Sequence, residues 1–237
     1  MPDDRENEER SLRILLDLLS HDINNHVYGS TGYLELIEQM LPKDPTLRRY
    51  LNNSMNEMGE ITHLVDNVRF LVSISHEPFR PEPVDLIMTL KRAQETASYR
   101  IKDKNLKVRT DLKEGDIILN GDRFLNDALV QVLTNSMKFD KDKDVTVELD
   151  VFISGDSAML FFIDRGRGIP DNQKETVFTR FRRSIEEGDV HGRGMGLSVV
   201  KEVCERYGGK ASIEDRIKGD HTKGTKVVLK IPLAKSR

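Results

Sequence analysis

The 237-residue sequence has a single cysteine, no tryptophan, and aromatic residues at only 6% of its positions. With Cys204 alone, an intramolecular disulfide and a cysteine-rich metal site are both excluded, and its apolar helical surroundings indicate a buried packing role. No run approaches the roughly 20 consecutive apolar residues of a membrane span, and residues 1–10 are acidic, unlike a signal peptide. The net charge is −3, with acidic and basic residues interspersed, so nothing indicates a nucleic-acid or anionic-membrane surface. We expect a soluble, cytoplasmic chain with no membrane segment, although a chain cut from a membrane-bound parent would have the same composition.

Three prolines at positions 78, 81 and 83 mark a boundary within the chain. A segment of this composition cannot continue a helix. With 37% hydrophobic residues, 237 positions are enough for one large domain or two modest ones. The sequence therefore predicts a first domain over residues 1–75, a linker over 76–83 and a second domain over 84–237.

The first domain has the apolar periodicity of two helices. Apolar and small residues recur there at three- and four-residue steps, with a break at Pro42-Lys43-Asp44-Pro45. The first set is Leu12, Leu16, Leu19, Ile23, Val27, Ser30, Leu34, Ile37 and Leu41, and the second is Leu47, Leu51, Ser54, Met58, Ile61, Val65, Val68 and Val72. This pattern predicts an antiparallel helical hairpin. Two helices with one apolar stripe each cannot enclose a core, so we expect a homodimer that forms a four-helix bundle.

Beyond the linker the pattern changes to shorter segments of both kinds. A short strand is predicted first, followed by helices over residues 84–101, 122–138 and 195–207. Strands are predicted over 106–112, 117–119, 145–153, 158–164, 211–214 and 226–231, with a loop over 169–191. Strands mixed with helices, without regular βαβ alternation, predict an α+β fold in which an α/β sandwich places its helices on one face of a mixed sheet.

Four segments of the second domain stand in an order that indicates a nucleotide site. They are Asn135-Ser136-Met137-Lys138, Asp164-Arg165-Gly166-Arg167-Gly168, Gly192-Arg193-Gly194-Met195-Gly196 and Gly224-Thr225. Each alone has an ordinary interpretation as a turn or a helix cap. In order, they predict a polar helix, an acidic glycine turn, a glycine turn that opens a helix, and a closing strand. The loop between the second and third segments would form a lid.

The residue types in these segments suit the parts of a nucleotide. Gln131, Asn135 and Lys138 fall at i, i+4 and i+7 and share one helix face. Amide oxygens suit Mg²⁺ and a lysine suits phosphates, but a solvated polar face would have the same pattern. Asp164 ends an apolar strand and can accept from an amine such as adenine N6, with Gly168 allowing close approach of the ring. The alternative for Asp164 is a plain turn.

The third segment has the pattern of an anion site. Gly192, Gly194 and Gly196 let backbone N–H groups point inward where the next helix begins. The helix dipole favours a negative charge at that end. We expect phosphate groups there.

This set of segments resembles the conserved boxes of the sensor histidine kinases, over essentially the whole chain. The ATP-binding fold of that family is shared with type II topoisomerases, heat-shock chaperone ATPases and mismatch-repair ATPases. The resemblance implies ATP contacts from Asn135 and Lys138, from Asp164, Gly166 and Gly168, from Phe178 and Phe181, from Gly192, Gly194, Gly196 and Leu197, and from Gly224 with Thr225. It implies ATP and Mg²⁺ as cofactors, with Gln131 and Asn135 near the metal.

A Ser20-His21-Asp22 segment lies on the first predicted helix. At about 100° per residue, His21 points roughly 165° away from the apolar stripe, and Asn25 lies on the same exposed side. An exposed histidine is usually an unremarkable surface residue. Beside a domain of the kind just described, the resemblance implies that His21 is the phosphoacceptor.

The resemblance also implies a mechanism. A neutral imidazole would attack the γ-phosphate of ATP, with Asp22 orienting the ring and Lys138 and Arg183 offsetting charge on the transferring group. The phosphoryl group would pass to an aspartate of a response-regulator receiver domain. Asn25 stands where relatives with phosphatase activity orient a water. The ATPase relatives have a glutamate base at the position of Gln131. An amide cannot act as that base, so Gln131 favours a kinase over a hydrolase.

The sequence departs from the family at several positions, and two rival functions remain. The common Glu-x-x-Thr-Pro after the histidine is Asp22-Ile23-Asn24-Asn25-His26 here, a segment similar to archaeal members, and Arg165, Gln131 and His191 replace commoner residues. One rival is a non-catalytic ATP-binding scaffold. The other is a metal-dependent phosphohydrolase of the His-Asp type, which would leave the glycine segments without a role.

Overall fold

The structure is a computed structural model that describes residues 2–40, 44–178 and 196–235, with all their side chains except those of residues 2–13 and 63. The described chain divides into two units, one ending at Glu77 and the other beginning at Pro78. This division falls inside the segment that the sequence marks as a linker.

The first unit consists of helices α1, Pro2–Met40, and α2, Pro45–His76. Asp44 caps α2, because its Oδ1 accepts the backbone N–H groups of Thr46 and Leu47 at 2.7 and 3.1 Å, and Pro45 suits the first helical turn. Nη2 of Arg69, late in α2, lies 3.2 Å from Oδ1 of Asp17, early in α1. The two helices therefore run antiparallel, as the hairpin prediction requires.

Within this unit the predicted apolar stripe of α1 is only partly covered. Val27 is buried, whereas Leu19, Ile23 and Ile37 are 49%, 38% and 48% exposed. A neighbouring helix covers one side of such a stripe and leaves the other side in contact with solvent. The single hairpin thus presents an apolar surface along α1.

The second unit contains two sheets and three α-helices among the residues described. In chain order the elements are β1 Glu82–Asp85, α3 Leu86–Arg100, β2 Asn105–Arg109, β3 Ile118–Gly121, α4 Phe124–Phe139, β4 Asp144–Ser154, β5 Ser157–Ile163, α5 Gly196–Arg206, β6 Lys210–Ile217 and β7 Asp220–Pro232. Short 3₁₀ helices lie at Asp171–Gln173 and Thr176–Phe178. The main sheet has the order β2-β4-β5-β7-β6, and β1 pairs with β3 in a small second sheet.

The main sheet is mixed, because β2 is parallel to β4 while the other described pairs are antiparallel. Every second residue of β5, namely Ala158, Leu160 and Phe162, is buried, which is the period of a sheet with one face against a core. Leu129 and Leu133 of α4 are fully buried as well. The second unit has the α/β sandwich fold that the sequence predicts.

Several element boundaries differ from the predicted ones. Helix α3 begins at Leu86 rather than at residue 84, because Asp85 caps it by accepting the N–H of Met88 at 2.8 Å. Glu82 and Pro83, predicted as linker, belong to β1, which pairs with β3. Strand β2 ends at Arg109, where its parallel pairing with β4 ends.

Candidate functional site

Asp164 lies at the centre of the candidate nucleotide site, directly after β5. Its side chain is buried, and Oδ1 accepts the backbone N–H groups of Gly166 and Thr225, both at 3.0 Å. Its own N–H donates to the carbonyl of Thr225 at 2.9 Å. The acidic glycine turn and the Gly224-Thr225 segment are therefore joined at one carboxylate, although 61 residues separate them in sequence.

Gly168 closes this turn against the beginning of β7. Its φ is +73°, a conformation that favours glycine, and a Cβ built on it would lie 1.5 Å from the carbonyl oxygen of His221. No side chain fits there without moving the backbone. The turn thus requires glycine for the packing of two strand ends, in addition to any approach of a ligand.

Burial raises the pKa of the Asp164 carboxyl, and hydrogen bonds from Thr225, Gly166 and Ser136 act in the opposite direction. The nearby carboxyl of Asp140 adds to the rise. A buried carboxylate with these donors is fixed in orientation and accepts hydrogen bonds strongly when ionised.

The polar face of α4 meets the first residue of α5. A Cβ built on Gly196 would lie 2.8 Å from Oε1 of Gln131 and 3.3 and 3.4 Å from Nδ2 and Oδ1 of Asn135. The amide groups of these two residues therefore lie close together, beside the point where α5 begins. Lys138 is half-buried in the last turn of the same helix.

Three further residues of the predicted nucleotide set lie in the described part of the second unit. Phe178 is buried at the end of the second 3₁₀ helix, Thr225 is buried in β7, and Leu197 is half-buried in the first turn of α5. The predicted residues Phe181, Arg183, Gly192 and Gly194 lie outside the described residues, as does His191.

The histidine segment lies on α1 in the first unit. The side chain of His21 is 72% exposed, and its Nδ1 lies 3.3 Å from Oδ1 of Asp22. Nδ2 of Asn25 is 3.2 Å from Nδ1 and 3.4 Å from Nε2 of the same ring. When Nδ1 carries the proton, it donates to Asp22 and leaves the lone pair on Nε2.

Two structural features around the site were not foreseen from the sequence. Ser136 is buried, and its Oγ lies 3.3 Å from Oδ2 of Asp164. Lys104 donates to the carbonyls of Met137, at 2.7 Å, and Asp140, and so neutralises the carboxyl-terminal end of α4. Ser136 stands inside a predicted segment, but sequence spacing alone does not show which strand end it faces, and a lysine in a polar loop gives no signal.

The second unit is similar to a known family of ATPase domains. Residues 120–235 match the family described as histidine kinase-, DNA gyrase B-, and HSP90-like ATPase. The match contains every described residue of the candidate nucleotide site.

Curated relatives of the chain are named signal transduction histidine kinases. ArlS of Staphylococcus haemolyticus is 26% identical over 206 residues, which are 84% of this chain and 44% of ArlS. MprB of Mycobacterium leprae, named a histidine-protein kinase/phosphatase, is 26% identical over 234 residues, 96% of this chain and 44% of MprB. The chain therefore spans less than half the length of these relatives.

Solved structures have the same fold. A mycobacterial sensor histidine kinase MprB structure is 29% identical with a TM-score of 0.55, and it covers 66% of this chain and 100% of that chain. Full-length ShkA in complex with AMPPNP has a TM-score of 0.62 at 20% identity, over 94% of this chain and 46% of that chain. At 20% identity, the similarity to ShkA shows the fold alone.

In residues 2–40, 44–178 and 196–235, each helix is too short or too polar to span a membrane. Over the same ranges, no three His, Cys, Asp or Glu side chains are grouped so that they could hold a metal ion.

Proposed function

We propose that this chain is an ATP-dependent protein histidine kinase that transfers the γ-phosphoryl group of ATP to His21. The observation that carries the proposal is the Asp164 carboxylate, which is buried and is bound at Oδ1 by backbone groups from two glycine segments. Such a carboxylate suits an amine-bearing base. The match of residues 120–235 to the ATPase family and the names of the relatives support the same function.

Adenine binding follows from the chemistry of Asp164. Oδ1 has two backbone donors, while Oδ2 has one described partner, the Ser136 hydroxyl. An ionised carboxylate has about four lone-pair positions, so Oδ2 retains capacity for the exocyclic amine of adenine. Phe178, Leu197 and Thr225 would line the same pocket, together with Phe181, Gly192 and Gly194.

The phosphate end of the nucleotide would lie at the beginning of α5. Backbone N–H groups at a helix N-terminus favour an anion, and Gln131 and Asn135 meet that end of α5. Their uncharged amide oxygens fit Mg²⁺, which keeps most of its waters and binds the rest of its ligands through oxygen. When bound, Mg²⁺ offsets negative charge on the phosphates, and Lys138 and Arg183 would add positive charge there.

Asp22 prepares His21 as the nucleophile. By accepting a hydrogen bond from Nδ1–H, Asp22 leaves the lone pair on Nε2, and its negative charge stabilises the ring as positive charge develops. The bond formed joins Nε2 to the γ-phosphorus, and the bond broken releases ADP. The proton on Nδ1 stays with the imidazole or Asp22.

Phosphohistidine would then donate its phosphoryl group to an aspartate of a response-regulator receiver domain. We propose phosphatase activity toward that regulator as well, with the Asn25 amide orienting the water. A relative that is named a kinase/phosphatase supports this second activity.

The apolar surface of α1, with Leu19, Ile23 and Ile37 exposed in the single chain, supports a homodimer.

A chemical assay of the phosphorylated product tests the proposal. The purified chain is incubated with γ-phosphate-labelled ATP and Mg²⁺, and the labelled protein is treated with acid or with alkali. A phosphohistidine is lost in acid and retained in alkali, and we expect that result. Nucleotide binding without any acid-labile label would contradict the kinase proposal and favour a non-catalytic scaffold.

A further inference from the structure

The two oxygens of Asp164 have different surroundings. Oδ1 accepts two backbone N–H groups at 3.0 Å, whereas the described residues give Oδ2 one partner, the Ser136 hydroxyl at 3.3 Å. Asp164 and Ser136 are only 7% and 3% exposed. The contact therefore lies in an environment that water does not reach freely, where a single donor has a large effect.

Ser136 has one proton and two acceptors within reach. Its Oγ lies 3.2 Å from the carbonyl oxygen of Val132 and 3.3 Å from Oδ2 of Asp164. The Val132 carbonyl already receives the N–H of residue 136 in the regular bonding of α4. A carboxylate is a stronger acceptor than a carbonyl, so the Ser136 hydroxyl donates its proton preferentially to Asp164.

We propose, on the basis of the function proposed above, that Ser136 is a positioning residue that sets the base specificity of the nucleotide site. Its hydroxyl occupies one side of Oδ2 and leaves the other side to accept an N–H from the exocyclic amine of adenine. A base with a carbonyl at that position, such as hypoxanthine, has no proton to donate and meets a carboxylate oxygen instead. Adenine is thus selected by a carboxylate that Ser136 keeps oriented.

The ionisation of Asp164 supports the same assignment. Burial raises its pKa, the neighbouring Asp140 adds to the rise, and the Ser136 hydroxyl is among the donors that lower it. Without this hydroxyl the protonated carboxyl is favoured further. A protonated carboxyl donates a hydrogen bond, so it accepts a carbonyl-bearing base more readily and an amine less readily.

The test compares ADP with inosine diphosphate, which differs in having a carbonyl in place of the amine. Both affinities are measured by calorimetry between pH 5.5 and 8 for the full chain and for Ser136→Ala. The matched control is Thr134→Val, which removes another buried hydroxyl of α4, one that donates to the Val130 carbonyl at 2.8 Å. Thermal unfolding of each variant is followed in parallel.

For Ser136→Ala we expect ADP affinity to fall about five- to tenfold, the usual effect of one hydrogen bond. The affinity for inosine diphosphate should change less, so the ratio of the ADP affinity to the inosine diphosphate affinity should fall. The loss of ADP affinity on acidification should begin at a higher pH in this variant than in the parent. Thr134→Val should keep the parent's ratio and pH profile. Ser136→Cys replaces the hydroxyl by a slightly larger thiol that is a weaker donor, and its ADP affinity should lie between those of the parent and the alanine variant.

Two results separate the inference from the proposed function. A parent chain that binds ADP, with an unchanged ADP preference and pH profile in both Ser136 variants, would overturn the role of Ser136 alone. A parent chain that binds no adenine nucleotide would contradict the proposed function itself.

Discussion

Arg206, in the last turn of α5, forms a buried ion pair with Asp122, two residues before α4: Nε lies 2.8 Å from Oδ2. The Tyr207 hydroxyl donates to Oδ1 of the same carboxylate at 2.6 Å, and burial raises the pKa of this phenol, so that it stays a neutral donor. Oδ1 also accepts the N–H of Phe124 at 3.0 Å. The end of α5 is thereby fixed to the beginning of α4, while its first residue meets Gln131 and Asn135.

Asp122→Ala should destabilise the second unit strongly. It leaves the Arg206 guanidinium buried without this partner, a change that typically costs about 3–5 kcal/mol of unfolding free energy. Chemical denaturation of the parent and the variant measures the difference.

The matched control for that variant is Glu214→Ala, which removes the exposed ion pair with Lys226 at 3.0 Å. A surface pair of this kind contributes about 0–1 kcal/mol. Equal, small effects of both substitutions would contradict the structural role of the Asp122 network.

Asp164→Asn should weaken ADP binding by about 1–3 kcal/mol, or roughly 5- to 150-fold, because a buried polar partner is left poorly matched. In the parent, ADP affinity should be retained at neutral pH and lost as the pH falls through the raised pKa of Asp164, since the protonated carboxyl no longer accepts from the amine. Titration calorimetry over a range of pH measures both effects.

The control for Asp164→Asn is Glu148→Gln, which changes a carboxylate paired with Arg165 at 3.0 Å on an exposed part of the sheet. ADP affinity should stay at the parent's value there. An Asp164→Asn variant that binds ADP as tightly as the parent would refute the assignment of Asp164 to the base.

Cys204 should be unreactive in the folded chain. Burial raises the pKa of its thiol to about 12, so at pH 8 almost none is present as the reactive thiolate. Iodoacetamide should label it only through opening of α5, at least about a hundredfold more slowly than in guanidinium chloride, and ADP should slow labelling further by stabilising the folded state. Because the chain has one cysteine, total alkylation reports this site, and rapid labelling of the native protein would contradict its burial.

Asp22 and Asn25 should separate the two proposed activities. Both contact His21, Asp22 at 3.3 Å and Asn25 at 3.2 Å, but a carboxylate can accept the ring proton and an amide cannot. Asp22→Ala should chiefly reduce autophosphorylation. Asn25→Ala should slow dephosphorylation of the phosphorylated regulator strongly and leave autophosphorylation within a few-fold of the parent.

These variants are compared by autophosphorylation rate and by loss of label from the phosphorylated regulator, with dimerisation followed by light scattering. A parallel loss of both activities in both variants, with dimerisation unchanged, would show that Asp22 and Asn25 do not act separately in autophosphorylation and in dephosphorylation of the regulator.

Local patterns predicted much of the fold. The two helices on either side of the break at residues 42–45 and the strand β5 follow from residue types and periods that act over a few positions. The close approach of Gln131 and Asn135 was likewise expected, because a spacing of four residues places them on one helix face. The predicted α/β sandwich of the second unit and the family resemblance were confirmed by the fold and by the ATPase family match, whereas the four-helix bundle of a dimer stays a prediction.

Long-range partners were beyond such patterns. The pairing of β1 with β3, the bond of Ser136 to Asp164 and the ion pair of Asp122 with Arg206 join residues 28 to 84 positions apart, and no local period encodes them. The end of β2 was misplaced for the same reason, since it is set by the parallel partner β4. The roles of His21, Arg183 and the remaining site residues stay predictions.

The central claim is that His21 is the phosphoacceptor, and labelling of matched histidine variants tests it most directly. His21→Gln and His26→Gln, both substitutions of exposed histidines on α1, are incubated with γ-phosphate-labelled ATP and Mg²⁺ after calorimetry has shown equal ADP affinity. We predict that His21→Gln takes up no acid-labile phosphate, while His26→Gln is labelled as the parent is. Acid-labile labelling retained in His21→Gln would contradict the account.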